Sequence, residues 1–178
     1  MSVLRTISQK AGEAGLPLLL IGGYAVMAHG FVRATDDLDL LVQGSRRDQW
    51  RRLLEGLGMS VYREMPGFMQ FNPPPGAQLP VDLMFVADEV FERMQADAEQ
   101  AGVEDVSLGI VSLLHVFALK CHAIRHGKPI RRVKDTEDLI QLAIINHLDL
   151  NEPELRATIL KHGNQKLYEK LQRACASE

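Results

Sequence analysis

The spacing of apolar and polar residues along the chain predicts an alternation of helices and short strands. Apolar residues recur at helical spacing through residues 1–14 and stop at Gly15, which predicts a first helix. Short apolar runs bounded by turn residues predict strands. These runs lie at 18–21, 37–42, 59–63, 68–72 and 81–86, with one further short strand within 103–111.

Helical spacing dominates the rest of the chain. Ser45 is a suitable N-cap for a helix at 46–57, and the acidic segment 87–101 also has helical spacing. Beyond residue 111 every pattern is helical, at 112–126, 135–146, 152–160 and 165–175. We therefore expect a mixed α/β core in residues 1–111 and a helical C-terminal part in residues 112–178, packed on that core as one compact unit.

The stretch 21–42 combines features that are typical of a ligand site. Gly22-Gly23 interrupts the first strand pattern where two missing Cβ atoms allow a ligand to approach the backbone closely. Asp37 and Asp39 follow two positions apart on a predicted strand, so they project from one face with Cβ atoms about 6 to 7 Å apart. Two carboxylates held this close repel each other, and one or two divalent cations could bridge them.

Asp82 is a candidate third ligand for the same cation site. It is the single charge in the strand pattern at 81–86. A lone aspartate at the start of a strand is often only a cap or turn residue. Because the two preceding strands can fold back on the strand of Asp37, a role as ligand is an equally open interpretation.

The segment that begins at Lys120 is rich in basic residues. Lys120 falls in the middle of an apolar helix face, where it either reaches solvent at a nearby edge or contacts an anion in a cleft. The segment 120–134 holds no acid and six basic residues, namely Lys120, Arg125, Lys128, Arg131, Arg132 and Lys134. A solvated loop and a contact with phosphate or an RNA backbone both remain open for it.

Two acids follow this basic segment. Asp135 suits the start of a helix, where the helix dipole favours a negative charge. Asp138 lies on the same helix face beside apolar residues, so an ion pair with Lys120 or Arg132 explains it better than capping does.

Composition is ordinary for a globular protein. The 178 residues are 46% hydrophobic and 24% charged, enough for one domain with a substantial core. The formal net charge of −3 does not point to nucleic acid as the main ligand. Cys121 and Cys175 lack a metal-binding spacing, and neither a signal peptide nor a membrane span is apparent. We expect reduced thiols and a cytoplasmic protein with no membrane partner.

The glycine pair and the paired aspartates resemble the signature of the DNA-polymerase-beta-like nucleotidyltransferase superfamily, in which a glycine turn precedes a TxDxD strand. The matching positions are Gly22, Gly23, Arg33, Thr35, Asp37 and Asp39. The segment LLHVFALKCHAIRHGKPIRRVKDTEDLIQL is similar to the later motifs of the AbiEii-like nucleotidyltransferase toxins. Its matching positions are Lys120, Lys134, Asp135 and Asp138. The resemblance covers roughly residues 16–145 and leaves out the last helices.

This resemblance implies a nucleotidyltransferase-like mixed sheet of four or five strands flanked by helices, with residues 1–111 as the catalytic core. It implies that Asp37, Asp39 and Asp82 bind Mg²⁺ or Mn²⁺. The third acid would complete the metal site or accept a proton from the acceptor hydroxyl.

The resemblance also implies a nucleotide site. Backbone N–H groups at Gly22 and Gly23 would hold the triphosphate, and Lys120 would contact phosphate during catalysis. Nucleotide binding is further implied for the other matched positions, Arg33, Thr35, Lys134, Asp135 and Asp138.

The predicted function is Mg²⁺-dependent transfer of a nucleoside monophosphate from an NTP to a hydroxyl. For a toxin-like enzyme the acceptor would be a tRNA 3′ end or a protein side chain, and a cognate antitoxin would be a partner. One alternative is transfer to a small molecule, as in the antibiotic nucleotidyltransferases. Another is a nucleotide-binding or interaction module without turnover.

Overall fold

The computed structural model describes residues 2–76, 79–104, 106–127 and 129–176, without the side chain of residue 130. Lys128, one of the six basic residues above, lies outside the described residues. The chain forms two compact units. The first unit comprises Met1–Ala28 and Arg33–Val111, and the second unit comprises His29–Val32 and Ser112–Glu178.

The first unit is built on a mixed sheet. Its described strands are β1 (Leu18–Leu20), β2 (Leu38–Gln43), β3 (Ser60–Met65), β4 (Phe68–Asn72), β5 (Val81–Val86), β6 (Glu99–Val103) and β7 (Val106–Ile110). Their order across the sheet is β3-β4-β5-β2-β1-β7-β6. β2 is parallel to β5 and β1 is parallel to β7, whereas the other neighbours are antiparallel. β2 is therefore the central strand.

The described helices of the first unit are α1 (Val3–Glu13), α2 (Gly22–Ala28), α3 (Arg47–Gly56) and α4 (Asp88–Ala96). Apolar spacing explains how α1 packs, because Leu4, Ile7 and Ala11 repeat at helical intervals and are all buried. They share one hydrophobic core with Trp50 of α3 and with the apolar residues of β2 and β5. This core fixes the two parallel strands that carry the candidate ligands.

The described part of the second unit contains α5 (Leu113–His126), α6 (Pro129–Ile145), α7 (Pro153–His162) and α8 (Gln165–Cys175). The side chains of Ser112, Glu152 and Asn164 cap α5, α7 and α8, each accepting a hydrogen bond from the backbone N–H three residues on. Cys121 and Cys175 form no disulfide, and burial raises the pKa of Cys121 to about 12. None of the described helices is both long and apolar enough to cross a membrane.

The mixed α/β fold predicted from the sequence is confirmed. The sheet has seven described strands, against six predicted from the apolar runs and four or five implied by the family resemblance. The prediction of a helix through residues 87–101 is wrong at its end, because α4 stops at Ala96 and β6 follows. β6 is a largely exposed edge strand without apolar alternation, and it pairs with β7 along its whole length. That pairing is a tertiary interaction, which local spacing does not register.

Two predicted helix starts are also wrong. Ser45 does not cap α3, because Gly44–Arg46 forms a turn of 3₁₀ helix and Ser45 Oγ donates to Asp88 Oδ2 at 2.5 Å. Asp135 does not open α6, which begins at Pro129. Proline suits the first position of a helix because an N–H there would have no partner within the helix.

Candidate active site

Three carboxylates converge where two neighbouring inner strands of the sheet, β2 and β5, begin. Asp39 and Asp82 are the second residues of the parallel strands β2 and β5, and they are direct partners in the strand register. Asp37 comes just before β2. Carboxylate oxygens of the three residues lie within 4.8 Å of one another. The structure thus brings together the three acids that the sequence analysis singled out, and their role as metal ligands stays a prediction.

The electrostatics of this carboxylate cluster favour a cation. Two unit charges about 5 Å apart repel by about 3 kcal/mol at an effective dielectric constant of about 20. Asp82 is buried, with 3% of its surface exposed, so water screens it poorly. Asp37 and Asp39 are partly exposed, which leaves the cluster open to solvent on one side. Carboxylate oxygens are the ligands that Mg²⁺ and Mn²⁺ prefer, so the donor set suits such an ion.

The glycine turn packs directly against the carboxylate cluster. Gly22 has a φ of +60°, and a Cβ atom there would lie 1.9 Å from Asp39 Oδ2. The backbone N–H of Ile21 donates to the Asp39 carbonyl at 3.1 Å, which fixes the turn relative to β2. Any residue other than glycine at position 22 would therefore displace a candidate metal ligand.

Arg33 and Thr35 lie beside the same turn. Thr35 Oγ1 is 3.2 Å from Asp37 Oδ1 and 3.3 Å from the Asp37 carbonyl oxygen. A Cβ atom on Gly23 would lie 2.3 Å from Thr35 Oγ1 and 3.4 Å from Arg33 Nη1. Arg33 Nη1 also donates to the carbonyl of Ala34 at 2.8 Å. These residues belong to the same site by position, and the nucleotide contact predicted for them is untested.

Tyr24 and Glu104 form a contact in this region that the sequence analysis missed. The Tyr24 hydroxyl donates to Glu104 Oε1 at 3.0 Å and ties α2 to the turn between β6 and β7. Burial, followed by the bond to Glu104, raises the pKa of Tyr24 to about 12. The two residues are 80 positions apart, and no local signal in the sequence links them.

Lys120, in the second unit, is buried between two acids. Its Nζ lies 2.8 Å from Asp135 Oδ1 and 2.6 Å from Asp138 Oδ2, and its side chain is 9% exposed. The predicted pairing of Asp138 with a base is confirmed, with Lys120 as the base. Asp135, expected to be a helix cap, is instead the second partner of this lysine. Lys120, Asp135 and Asp138 thus form one ion cluster, in which Lys120 and Asp138 are buried.

The basic segment is divided between packing and exposed positions. Arg125 Nη1 lies 3.3 Å from the carbonyl oxygens of Lys161 and Gly163, and it donates to both at the end of α7. Arg131, Arg132 and Lys134 are exposed on the first turns of α6, where Arg132 donates to the Gly127 carbonyl at 3.3 Å. The predicted site residues thus form two clusters, one in each unit.

Comparisons with known proteins agree with this fold. No family model matches the chain. The chain is 29% identical to 2''-aminoglycoside nucleotidyltransferases of Escherichia coli and Klebsiella pneumoniae over 120 residues, which are 63% of this chain and 63% of each relative. The match thus spans less than two thirds of those relatives.

Solved structures give the same classification of the fold. The solution structure of the antibiotic-resistance factor ANT(2'')-Ia matches with a TM-score of 0.69 at 21% identity, over 98% of this chain and 96% of that one. The lincomycin-bound lincosamide antibiotic adenylyltransferase LnuA matches with a TM-score of 0.59 at 15% identity, over 80% of this chain and 95% of that one. The chain therefore has a nucleotidyltransferase-like fold.

Proposed function

We propose that this protein transfers a nucleoside monophosphate from an NTP to a hydroxyl group of a small, antibiotic-type molecule. The observation that carries the proposal is the cluster of Asp37, Asp39 and Asp82 packed against a glycine turn in a nucleotidyltransferase-like fold. The small-molecule acceptor is favoured because the similar proteins named above act on, or bind, antibiotics. A cytoplasmic location, where NTPs are abundant, accords with the two cysteines, which form no disulfide.

The three aspartates would hold Mg²⁺ or Mn²⁺, since each offers one oxygen within 4.8 Å of the others. Such an ion, when bound, would neutralise charge on the triphosphate and lower the pKa of a hydroxyl bound to it. Backbone N–H groups of Gly22 and Gly23 would bind triphosphate oxygens.

The proposed reaction is a displacement at the α-phosphorus. The acceptor oxygen forms a bond to this phosphorus, and the bond to the oxygen that bridges to the β-phosphorus breaks. Pyrophosphate leaves with that oxygen. We propose that the Asp82 carboxylate accepts the proton of the acceptor hydroxyl, because Asp82 is the most buried of the three acids and the least accessible to water.

Lys120, Lys134, Asp135 and Asp138 of the second unit stay proposed nucleotide-binding residues. The ammonium group of Lys120 has three N–H donors, and its bonds to Asp135 and Asp138 use two of them, so Lys120 can bind phosphate through the third while it keeps both partners. Lys134 is exposed, so it is the more accessible candidate for phosphate binding.

Incubation with radiolabelled NTPs and Mg²⁺ tests the proposal, with aminoglycosides, lincosamides, total tRNA and a cell lysate as separate acceptors. We expect label on a small molecule and a loss of at least about a hundredfold in Asp37→Asn and Asp39→Asn. Asp36→Asn is the matched control, because Asp36 is exposed and lies outside the cluster. Unchanged transfer in the two cluster variants, or no transfer to any acceptor, would contradict the proposal.

A second candidate is an AbiEii-like toxin that modifies a tRNA 3′ end or a protein, with an antitoxin as partner. The observation that favours it is the exposed basic face of α6, formed by Arg131, Arg132 and Lys134, which suits a polyanionic acceptor. The tRNA and lysate arms of the same experiment distinguish it from the first candidate. NTP binding in calorimetry without product in any arm would instead indicate a binding module.

A further inference from the structure

Thr35 links the glycine turn to the carboxylate cluster. Its hydroxyl has one hydrogen, which faces both the Asp37 carboxylate at 3.2 Å and the Asp37 carbonyl at 3.3 Å. A donor between these two oxygens limits rotation of the carboxylate about its own side chain. The orientation of the Asp37 carboxylate, which offers one candidate metal-ligating oxygen, is therefore coupled to the side chain of Thr35.

The same side chain explains why residue 23 is glycine. The φ of Gly22 is positive, which by itself favours glycine, whereas the φ of Gly23 is not positive. A Cβ atom at position 23 would instead meet Thr35, at 2.3 Å from Oγ1 and 2.7 Å from the Thr35 Cβ. Real Cβ atoms do not approach other atoms this closely. The absence of a side chain at position 23 is therefore a requirement of space, and Thr35 occupies that space.

We infer that Thr35 is a positioning residue for the metal site, held by Gly23 on one side and orienting Asp37 on the other. This inference rests on the proposed metal site. It differs from a nucleotide contact, because Thr35 acts through the carboxylate that binds the ion. It also differs from a role in which Thr35 only stabilises the loop before β2, because such a role would not change the affinity for a cation.

Binding of Mn²⁺ alone, followed by the electron paramagnetic resonance signal of the free ion, measures this effect without nucleotide or acceptor. We expect Thr35→Val to weaken Mn²⁺ affinity about tenfold, as loss of a partner of a metal ligand typically does. Thr35→Ser keeps the hydroxyl and should restore affinity to within about twofold. Thr6→Val is the control, since Thr6 also donates through Oγ1, to the Ser2 carbonyl at 3.1 Å, but lies in α1.

A pair of substitutions tests the contact between positions 23 and 35. Gly23→Ala should push Thr35 away and weaken Mn²⁺ binding about tenfold. Thr35→Gly removes both crowded atoms, so adding Gly23→Ala to it should cost little more. We expect a loss of about tenfold in the double variant, where independent effects would multiply to about a hundredfold.

The outcomes separate this inference from the proposed function. Wild-type Mn²⁺ affinity in Thr35→Val, with binding lost in Asp37→Asn, would overturn the inference and leave the metal site intact. Multiplicative losses at positions 23 and 35 would also overturn it. The expected pattern of Mn²⁺ binding without any nucleotidyl transfer would support the inference and contradict the proposed reaction. Absence of Mn²⁺ binding by the wild type would overturn both.

Discussion

Gly22 and Gly15 have nearly the same φ angle but different surroundings. Their φ angles are +60° and +63°, and both favour glycine over other residues. A Cβ atom on Gly15 would meet no atom within 4 Å, whereas one on Gly22 would collide with the Asp39 carboxylate. The two positions therefore separate the conformational cost of a side chain from its effect on the candidate site.

We expect Gly15→Ala to lower the free energy of unfolding by about 1 kcal/mol and to leave Mn²⁺ affinity unchanged. Gly22→Ala should carry the same cost and in addition weaken Mn²⁺ binding more than tenfold, because Asp39 must move. Urea unfolding and Mn²⁺ titration measure the two quantities. Equal Mn²⁺ affinity in both variants would contradict the packing of the turn against Asp39.

At the residue scale, the titration of Tyr24 makes the free energy of unfolding depend on pH. Its pKa is raised from about 10 to about 12, chiefly by burial, so the folded state holds this proton more tightly than the unfolded chain. The resulting stability is fully present below pH 10 and is lost as the pH rises from 10 towards 12.

Tyr24→Phe removes this titration. Above pH 10 the unfolding free energy of the wild type should therefore fall relative to that of Tyr24→Phe. Denaturant titrations at successive pH values measure this difference. Tyr62→Phe, at a residue that is 68% exposed, is the control. A difference independent of pH would contradict the buried position of the Tyr24 hydroxyl.

At the scale of elements, the pairing of α5 with α6 depends on a buried charge. Lys120 of α5 is bound by Asp135 and Asp138, which lie three positions apart on one face of α6. Removal of the lysine leaves two carboxylates together in a poorly solvated place. Loss of one partner from a buried ion pair typically costs about 3 to 5 kcal/mol.

Lys120→Met should therefore lower the thermal midpoint strongly, and addition of Asp138→Leu to this variant should recover much of the loss. Far-ultraviolet circular dichroism measures the transition, because the second unit is helical in its described elements. Lys166→Met, at an exposed position of α8, is the control. A midpoint for Lys120→Met equal to that of the control would indicate that the ion cluster contributes little to stability.

Elements were predictable from the sequence where their signal is local. The ranges predicted for α5 and α8, 112–126 and 165–175, agree with the structure, because the caps Ser112 and Asn164 act within one helical turn. β6 and the start of α6 were not predicted correctly. β6 depends on its partner β7, and α6 begins within a basic segment whose composition resembles a loop.

At the scale of the whole molecule, the candidate site was likewise predictable where its signal is local, and was not predictable where it depends on tertiary packing. The period of a strand predicts Asp37 and Asp39 on one face, and their carboxylate oxygens do lie within 4.8 Å of each other, although Asp37 comes just before β2. The position of Asp82 stayed open because it depends on β5 lying parallel to β2 and in register with it, which is a property of the sheet. The contacts of Tyr24 with Glu104 and of Thr35 with Gly23 depend on packing alone and had no signal in the sequence.

The proposed metal site predicts that stability depends on cations. In that site, mutual repulsion among three ionised acids within 4.8 Å of one another would destabilise the folded chain, and an ion bound among them would offset it. A ligand that binds only the folded state stabilises it by about 1.4 kcal/mol at ten times its Kd. For a chain of 178 residues this corresponds to an increase in melting temperature of about 3 to 6 °C.

We expect Mg²⁺ to raise the melting temperature of the wild type by this amount and to have no effect on the double variant Asp37→Asn, Asp39→Asn. Without Mg²⁺ the double variant should melt above the wild type, because the repulsion is gone while the fold is unchanged. Asp48→Asn, at an exposed position of α3, should respond to Mg²⁺ as the wild type does. A double variant that melts below the wild type in the absence of Mg²⁺ would mean that the two aspartates stabilise the fold. That result would contradict a cost in stability from their mutual repulsion.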